Sequence, residues 1–333
     1  LIGTIYVEDE VREHPRTRAI LERFPRSTVV PCARYGEVFN RRGQNFRLQK
    51  RRPSLVLAKK YGHLVHPTPA GYGIGGERNF YFSHMLNCLY DCRYCFLQGM
   101  YRSAHYVVFV NFEDFFESIA ETTAEAAEPS WFFSGYDCDS LAFEKVTGFV
   151  EEALPFFRHI PKAHLELRTK STQIEALLEH KPFERVVVAM SFTPEEISRE
   201  LEHKVPAVER RVRALARLAE HGWPLGLRFD PLIYAPEFRD VYRRLFDRVF
   251  EVLTETGGSE RLHSVSLGPF RLPTGFFRTA ERLYPDEPLF AGPMADYGGT
   301  VSYRRDLEEE LVGFCTEELL SRVPRSAFFP CEL

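Results

Sequence analysis

From residue 79 onward, short apolar runs of β type alternate six times with amphipathic helical stretches. The strand segments are Asn79–His84, Ser130–Ser134, Ala163–Arg168, Arg185–Ser191, Pro224–Asp230 and Leu262–Gly268. The helical segments are Phe112–Ala127, Phe143–Phe157, Thr172–His180, Ala207–His221, Phe238–Thr254 and Gly275–Tyr284. The fifth helix has the clearest stripe, with Val241, Leu245, Phe246, Val249, Phe250 and Leu253 on one face. Pro206 suits the start of the fourth helix and Gly222 its end. Consecutive strand–helix units predict a parallel sheet with right-handed crossovers. Six units rather than eight predict an open, partial (β/α)6 barrel of the α/β class, with its site at the C-terminal ends of the strands. A last helix, Asp306–Arg322, and a tail, Ser326–Leu333, follow.

The first 78 residues read differently. They carry 15 Lys/Arg against 7 Asp/Glu, so they stand at +8 within a chain of net charge −4. One short helix is expected around Thr17–Phe24, the rest reads as irregular, and Pro67, Pro69, Gly71, Gly73, Gly75 and Gly76 form a breaker-rich loop. The expected organisation is a basic N-terminal extension, 1–78, packed on a barrel unit, 79–333. The stretch Arg34–Lys60 has nine basic residues and one acid, with Tyr35, Phe39 and Phe46 interleaved. It is either a solvated surface segment or a phosphate-backbone contact with aromatic groups for stacking. Apolar residues are 44% of the chain, enough for a core. No apolar run is long enough to span a bilayer, and Leu1–Ile5 runs straight into charged residues rather than an export signal. The expectation is a protein of the cytoplasm without membrane contact. Oligomeric state is not encoded in any pattern here.

Three of the seven cysteines fall within eight residues: Cys88-Leu-Tyr-Asp-Cys92-Arg-Tyr94-Cys95. Without an export signal that crowding points to metal rather than disulfides. The motif follows the first barrel strand directly, so it belongs on the first βα loop, at the mouth. Three thiolates hold three irons of a [4Fe–4S] cubane and leave the fourth without a protein ligand. The amino and carboxylate groups of S-adenosylmethionine (SAM) fit that open iron. One electron then cleaves the sulfonium and yields a 5′-deoxyadenosyl radical; the protein supplies position and shielding. The alternative is a zinc site with His84 or His105 as fourth ligand. That reading lacks the second short knuckle that such sites usually have. A non-catalytic metal- or nucleic-acid-binding protein is the reading from a different functional class.

The text Cys88-Leu-Tyr-Asp-Cys92-Arg-Tyr94-Cys95-Phe96-Leu97-Gln98 resembles the spore photoproduct lyase family. Weaker similarity follows in the same order: Ile5-Tyr6-Val7-Glu8 through Leu21-Glu22-Arg23-Phe24, Leu167-Arg168-Thr169-Lys170, Val188-Ala189-Met190-Ser191, Gly222-Trp223-Pro224-Leu225-Gly226, and Gly299 to Phe314. The resemblance implies a radical SAM lyase that reverses a thymine–thymine photolesion in DNA. It implies damaged DNA as partner, and a flavodoxin or ferredoxin as electron donor. A related radical SAM enzyme acting on another substrate is the alternative.

It also implies roles for residues. SAM contacts fall on Lys170, Ser191 and Cys138; Lys170 suits the SAM carboxylate and the Ser191 hydroxyl a hydrogen bond to it. The family's hydrogen-donating cysteine on the second βα loop aligns with Tyr136, and Cys138 lies two residues on. The tyrosine that follows the third cluster cysteine in the family is Phe96 here, while Tyr94 remains. Either Cys138 takes the donor role, with Tyr94 re-forming its S–H bond, or the donor position is Tyr136. Tyr303 and Arg304 fall where the family grips the damaged strand. Independently of the resemblance, Arg271, just after the sixth strand, suits a phosphate or the SAM carboxylate, or else an ordinary surface salt bridge. Asp230 is read as a partner of Arg228 or a turn cap, against a substrate-positioning role. Cys32, Cys315 and Cys331 are read as small apolar residues.

Overall fold

The computed structural model describes residues 2–69, 71–124 and 126–331. Glu332 and Leu333 of the expected tail, and Glu125 of the first expected helix, lie outside them.

The first 78 residues are not irregular. They form β1 (Thr4–Glu8), α1 (Pro15–Arg23), β2 (Thr28–Cys32), α2 (Phe46–Arg51) and β3 (Leu55–Ala58). Pro15 opens α1 at its first turn, where a missing N–H costs nothing, and His14 Nδ1 accepts from the Arg16 amide as the cap. β3 is buried along its whole length, as a strand covered on both faces must be. After β4 (Val65–Pro67), β5 (Arg78–Phe82), β6 (Met85–Leu86), β7 (Asp91–Cys92) and the one-turn α3 (Leu97–Met100), the chain returns as β8 (Tyr106–Phe109). β8 pairs with β3 in parallel and with β6 antiparallel. The result is a five-stranded sheet in the order β2-β1-β3-β8-β6, with strands from both sides of residue 78. The sequence hid it because β2 is mostly solvent-facing and interrupted by Pro31, and because β8 lies far along the chain from β3.

The second sheet is the predicted one. Its remaining parallel strands are β9 (Ser130–Ser134), β10 (Ala163–Thr169), β11 (Val186–Ser191), then β13 (Leu225–Leu232) and β14 (Leu262–Pro269) after the two-residue β12 (Glu202–His203). The order is β14-β13-β11-β10-β9-β5, with β4 added antiparallel at the edge. Adjacent strands are consecutive barrel strands, and all five barrel pairings are parallel. That is a partial barrel of six strands.

Its helices are α4 (Phe112–Ala124), α5 (Glu144–Thr147), α6 (Phe149–His159), α7 (Glu175–Glu179), α8 (Glu195–Leu201), α9 (Val208–His221), α10 (Phe238–Glu255), α11 (Thr274–Leu283) and α12 (Arg305–Leu320). The expected helix Phe143–Phe157 is two, broken at Gly148, whose φ of 60° lies in the left-handed region. The expected Thr172–His180 shrinks to the five residues of α7, because Ser171 and Thr169 hydroxyls hold the turn that precedes it. α9 ends where expected: the Gly222 amide returns to Leu218 and Ala219 carbonyls with φ 96°. Trp223 is fully buried and donates from Nε1 to the Leu177 carbonyl at 3.0 Å, which ties α7 to the start of β13. A small antiparallel sheet, β15 (Arg271–Pro273), β16 (Met294–Asp296) and β17 (Thr300–Tyr303), extends the β14 side of the mouth. Among the described residues, no helix is long and apolar enough to cross a membrane.

Candidate active site

The cluster loop is pinned at both ends before any ligand is considered. Asn87 takes a left-handed φ of 66°, and its Nδ2 donates to the Ser103 and His105 carbonyls at 2.8 and 2.7 Å. Cys92 on β7 pairs with Glu202 on β12, and the Arg93 amide donates to the Leu201 carbonyl at 2.8 Å. Gln98 Nε2 donates to Asp91 Oδ1 and to the Cys92 carbonyl, both at 3.0 Å, while its Oε1 accepts from Tyr284 at 2.8 Å. Cys88, Cys92 and Cys95 all line one cavity of about 520 Å³ at the C-terminal mouth of the barrel. Burial pushes all three thiols up from their usual range, and the Tyr90 amide donates to Cys88 Sγ at 3.4 Å. Metal binding at such thiols releases protons and is favoured by rising pH.

The strand ends deliver the other groups. Asp139, on the second βα loop, accepts from the Leu141 and Ala142 amides at 3.0 and 2.8 Å, from Thr169 Oγ1 at 2.6 Å and from the Lys170 amide at 2.6 Å. One carboxylate therefore joins the loop that carries Tyr136 and Cys138 to the end of β10 that carries Lys170. Burial pushes the Asp139 carboxyl up, against those hydrogen bonds. Lys170 Nζ lies 3.8 Å from Glu202 Oε1. Glu202 is fully buried, pairs with Arg211 at 2.6 Å, and accepts from the Ser198 hydroxyl at 2.6 Å and from the Tyr94 hydroxyl. Burial opposes its ionisation, but Arg211 and Lys170 hold the carboxyl down at about 2. The Ser191 carbonyl accepts from Arg211 at 2.9 Å, and its side chain lines the cavity.

A chain of charges joins β10 to β13. Arg228 and Glu166 form a fully buried pair at 2.7 Å. Glu166 Oε1 also accepts from Arg168 Nε at 3.2 Å, and Arg168 reaches Asp230 at 3.8 Å. Breaking a buried pair of this kind by removing one partner costs about 3–5 kcal/mol. Asp230 is thus not the partner of Arg228; it faces the cavity and meets Arg168 and Cys331, whose Sγ lies 3.7 Å from Asp230 Oδ2. Cys331 is not a buried filler but a cavity-lining thiol, held by its amide to the Leu267 carbonyl at 2.8 Å. Beside it Ser266, 2% exposed, lines the cavity with an Oγ that has no hydrogen-bond partner.

Of the residues singled out in the sequence, the structure brings Cys88, Cys92, Cys95, Tyr94, Tyr136, Cys138, Lys170, Ser191, Asp230 and Arg271 to this one cavity. Cys138 is 9% exposed and packs into the core of the five-stranded sheet. Tyr136 is exposed and stacks on Tyr81 at 4.3 Å, with Phe96 at 5.5 Å. Tyr94 is buried, with its hydroxyl turned to Glu202. Arg271 donates to the Tyr72 hydroxyl at 2.9 Å. Arg304 is exposed beside Asp306. Tyr303 requires a correction: it is 2% exposed, its hydroxyl accepts from the Tyr234 amide at 3.0 Å, and it packs on Phe270. No face of its ring is free to stack on a base.

The donor set fits an iron–sulfur cubane better than one ion. Among the described residues, no three His, Cys, Asp or Glu side chains converge as a single metal ion would need. Three cysteines spread along one wall suit a cluster, where each thiolate takes a different iron. Neither proposed zinc histidine lines the cavity. His84 is buried against Phe149 at 4.1 Å, and His105 Nδ1 accepts from the Ser54 amide at 3.0 Å.

A six-strand partial barrel with three cysteines on its first βα loop, opening on a cavity at the strand ends, defines the class of radical SAM enzymes. Within that class the profile of the spore photoproduct lyase family matches residues 79–284. The chain belongs to the spore photoproduct lyase family. It is 22% identical over 320 residues to spore photoproduct lyase of Bacillus subtilis (strain 168), covering 92% of this chain and 91% of that one. It is 24% identical over 237 residues to the spore photoproduct lyase of Geobacillus sp. (strain Y412MC61), 67% and 69% of the two chains. A solved mutant of spore photoproduct lyase with bound AdoMet and dinucleoside spore photoproduct superposes with a TM-score of 0.85. That likeness, at 18% identity, covers 100% of this chain and 99% of the other and shows a shared fold.

Proposed function

We propose that this chain is a radical SAM lyase that repairs a thymine photolesion of the spore photoproduct type in DNA. The observation that carries the reading is the convergence of Cys88, Cys92 and Cys95 with Lys170, Ser191 and Cys138 on one cavity at the barrel mouth. Cys88, Cys92 and Cys95 would hold a [4Fe–4S] cluster. With SAM bound there, the pair of cofactors supplies a 5′-deoxyadenosyl radical for hydrogen abstraction from the lesion.

The chain's own residues orient and shield. Lys170, 3.8 Å from Glu202, suits the SAM carboxylate, and the Ser191 hydroxyl a hydrogen bond to it. The buried Glu202–Arg211 pair fixes the Lys170 end of that arrangement. Arg271, with Tyr72 behind it, and Arg304 suit phosphates of the damaged strand. Two thiols besides the cluster ligands reach the cavity, Cys138 and Cys331. Cys138 is proposed to return hydrogen to the product, with Tyr94 re-forming its S–H bond. A flavodoxin or ferredoxin is the proposed reductant. A second reading, a related radical SAM enzyme with another substrate, is favoured by Tyr136 and Phe96, which replace the family's donor cysteine and relay tyrosine.

The test of the cofactor reading is direct. Cys88→Ala, Cys92→Ala and Cys95→Ala should each lose the cluster and the reductive cleavage of SAM, read by iron and sulfide analysis and by 5′-deoxyadenosine release. A variant that kept a full cluster and normal cleavage would overturn the ligand assignment.

A further inference from the structure

The cluster loop has a second face. Along Asp91-Cys92-Arg93 the side chains alternate, as they must on an extended strand. Cys92 lines the inner cavity, while Asp91 and Arg93 line a separate outer pocket of about 440 Å³. Arg47, Lys50 and Arg51 of α2 and Lys204, just past β12, complete its basic wall. Lys50 is the one residue that lines both spaces.

The lining of this pocket carries a net positive charge. Asp91 is the one carboxylate among its lining residues, and Lys50 at 3.4 Å and Arg93 at 2.8 Å already match it. Arg93 also meets Glu287 at 3.5 Å and lies 4.1 Å from the Tyr284 ring centre. Arg47, Arg51 and Lys204 are exposed and make no ion pair among the described residues. Lys204 is held at φ 66°, a conformation uncommon for a lysine.

The proposed reaction needs an electron that the chain cannot store. Outside Cys88–Cys95, its cysteines stand singly at 32, 138, 315 and 331, with no second cluster motif. The electron therefore comes from outside, and transfer weakens steeply with distance. Cys92 is flanked in sequence by Asp91 and Arg93, which both line the outer pocket. Tyr72, Tyr136 and Arg271 line the inner cavity and not the outer pocket.

We propose that this basic pocket docks an acidic one-electron carrier protein, which reduces the cluster across the Asp91–Arg93 strand. The inference rests on the radical SAM reading above. In the step the carrier loses one electron and the holoenzyme gains one; no bond forms or breaks. Opposite charge on the two surfaces steers the encounter and sets its salt dependence.

The experiment mixes anaerobic, cluster-loaded protein with reduced flavodoxin, and in a parallel series with reduced ferredoxin, and follows bleaching of the cluster absorbance. The variant is Arg47→Glu/Arg51→Glu/Lys204→Glu, and Arg51→Gln/Lys204→Gln serves if the triple variant does not fold. The second-order rate should fall about tenfold or more at low salt, and its salt dependence should flatten. SAM cleavage driven by dithionite should be unchanged. Unaltered rates with both carriers would overturn the proposal. Loss of duplex DNA affinity with unaltered carrier rates would assign the pocket to nucleic acid and overturn it as well. Failure of the unmutated protein to cleave SAM with dithionite would contradict the radical SAM reading itself, and this surface with it.

Discussion

Cys138 and Cys331 reach the same cavity from different parts of the chain and in different company. Cys138 sits on the second βα loop, packed into the five-stranded core, and burial and the nearby Cys88 push its thiol well up. Cys331 arrives on the C-terminal tail, where burial and then Asp230 push its thiol to about 12. Both therefore keep the S–H bond that a carbon radical can draw on. With Cys138 as donor, Cys138→Ala should leave SAM cleavage largely intact and divert lesion products to adducts. In heavy water, the unmutated protein should place thiol-derived deuterium in the repaired thymine. Clean repair by Cys138→Ala, with adducts from Cys331→Ala or Tyr136→Phe, would move the role to that residue. The cluster cysteines were legible from their short spacing, whereas Lys170 and Ser191 entered only through the family resemblance; all five line the cavity. Cys331, Asp139 and Glu202 were not legible. Cys331 reaches Asp230 across a hundred residues of chain, and Glu202 meets Tyr94 across a similar span. Asp139 alone carried a usable signal, an acidic residue placed to cap the turn that follows it.

At the scale of elements, α3 matters more than its four residues suggest. It follows Cys95 closely and packs against α11 backbone to backbone. A Cβ at Gly99 would meet the Phe276 carbonyl oxygen at 2.3 Å and its Cα at 2.7 Å, so only glycine fits without movement. Gly99→Ala should cost about 1–3 kcal/mol and loosen the loop that bears the cysteines. Thermal unfolding and iron retention after gel filtration check this, and an unchanged Tm with full iron content would contradict it. The six barrel strands were readable because β-type segments recur in regular alternation with amphipathic helical stretches. The break at Gly148 was not, because one glycine inside an amphipathic pattern leaves the periodicity intact. The N-terminal sheet escaped for a different reason: its order depends on β8, which no local pattern assigns to β3.

Across the whole molecule, the cluster loop runs from the five-stranded sheet to the separate two-stranded pair β7–β12. β6, at its start, pairs into the five-stranded sheet, and β7, at its centre, pairs with β12 beside the barrel. At the loop's centre Cys92 faces the inner cavity, while Asp91 and Arg93 line the basic outer pocket. The first 78 residues carry positive charge within a chain that is acidic overall. Part of that charge, on α2, surrounds the outer pocket rather than the cavity mouth. The most direct test of the account is anaerobic incubation of the cluster-loaded protein with SAM, dithionite and a spore-photoproduct dinucleotide, followed by product analysis. Restored thymine dinucleotide, formed together with 5′-deoxyadenosine, is the predicted result. Release of 5′-deoxyadenosine with the lesion left intact would contradict the repair function.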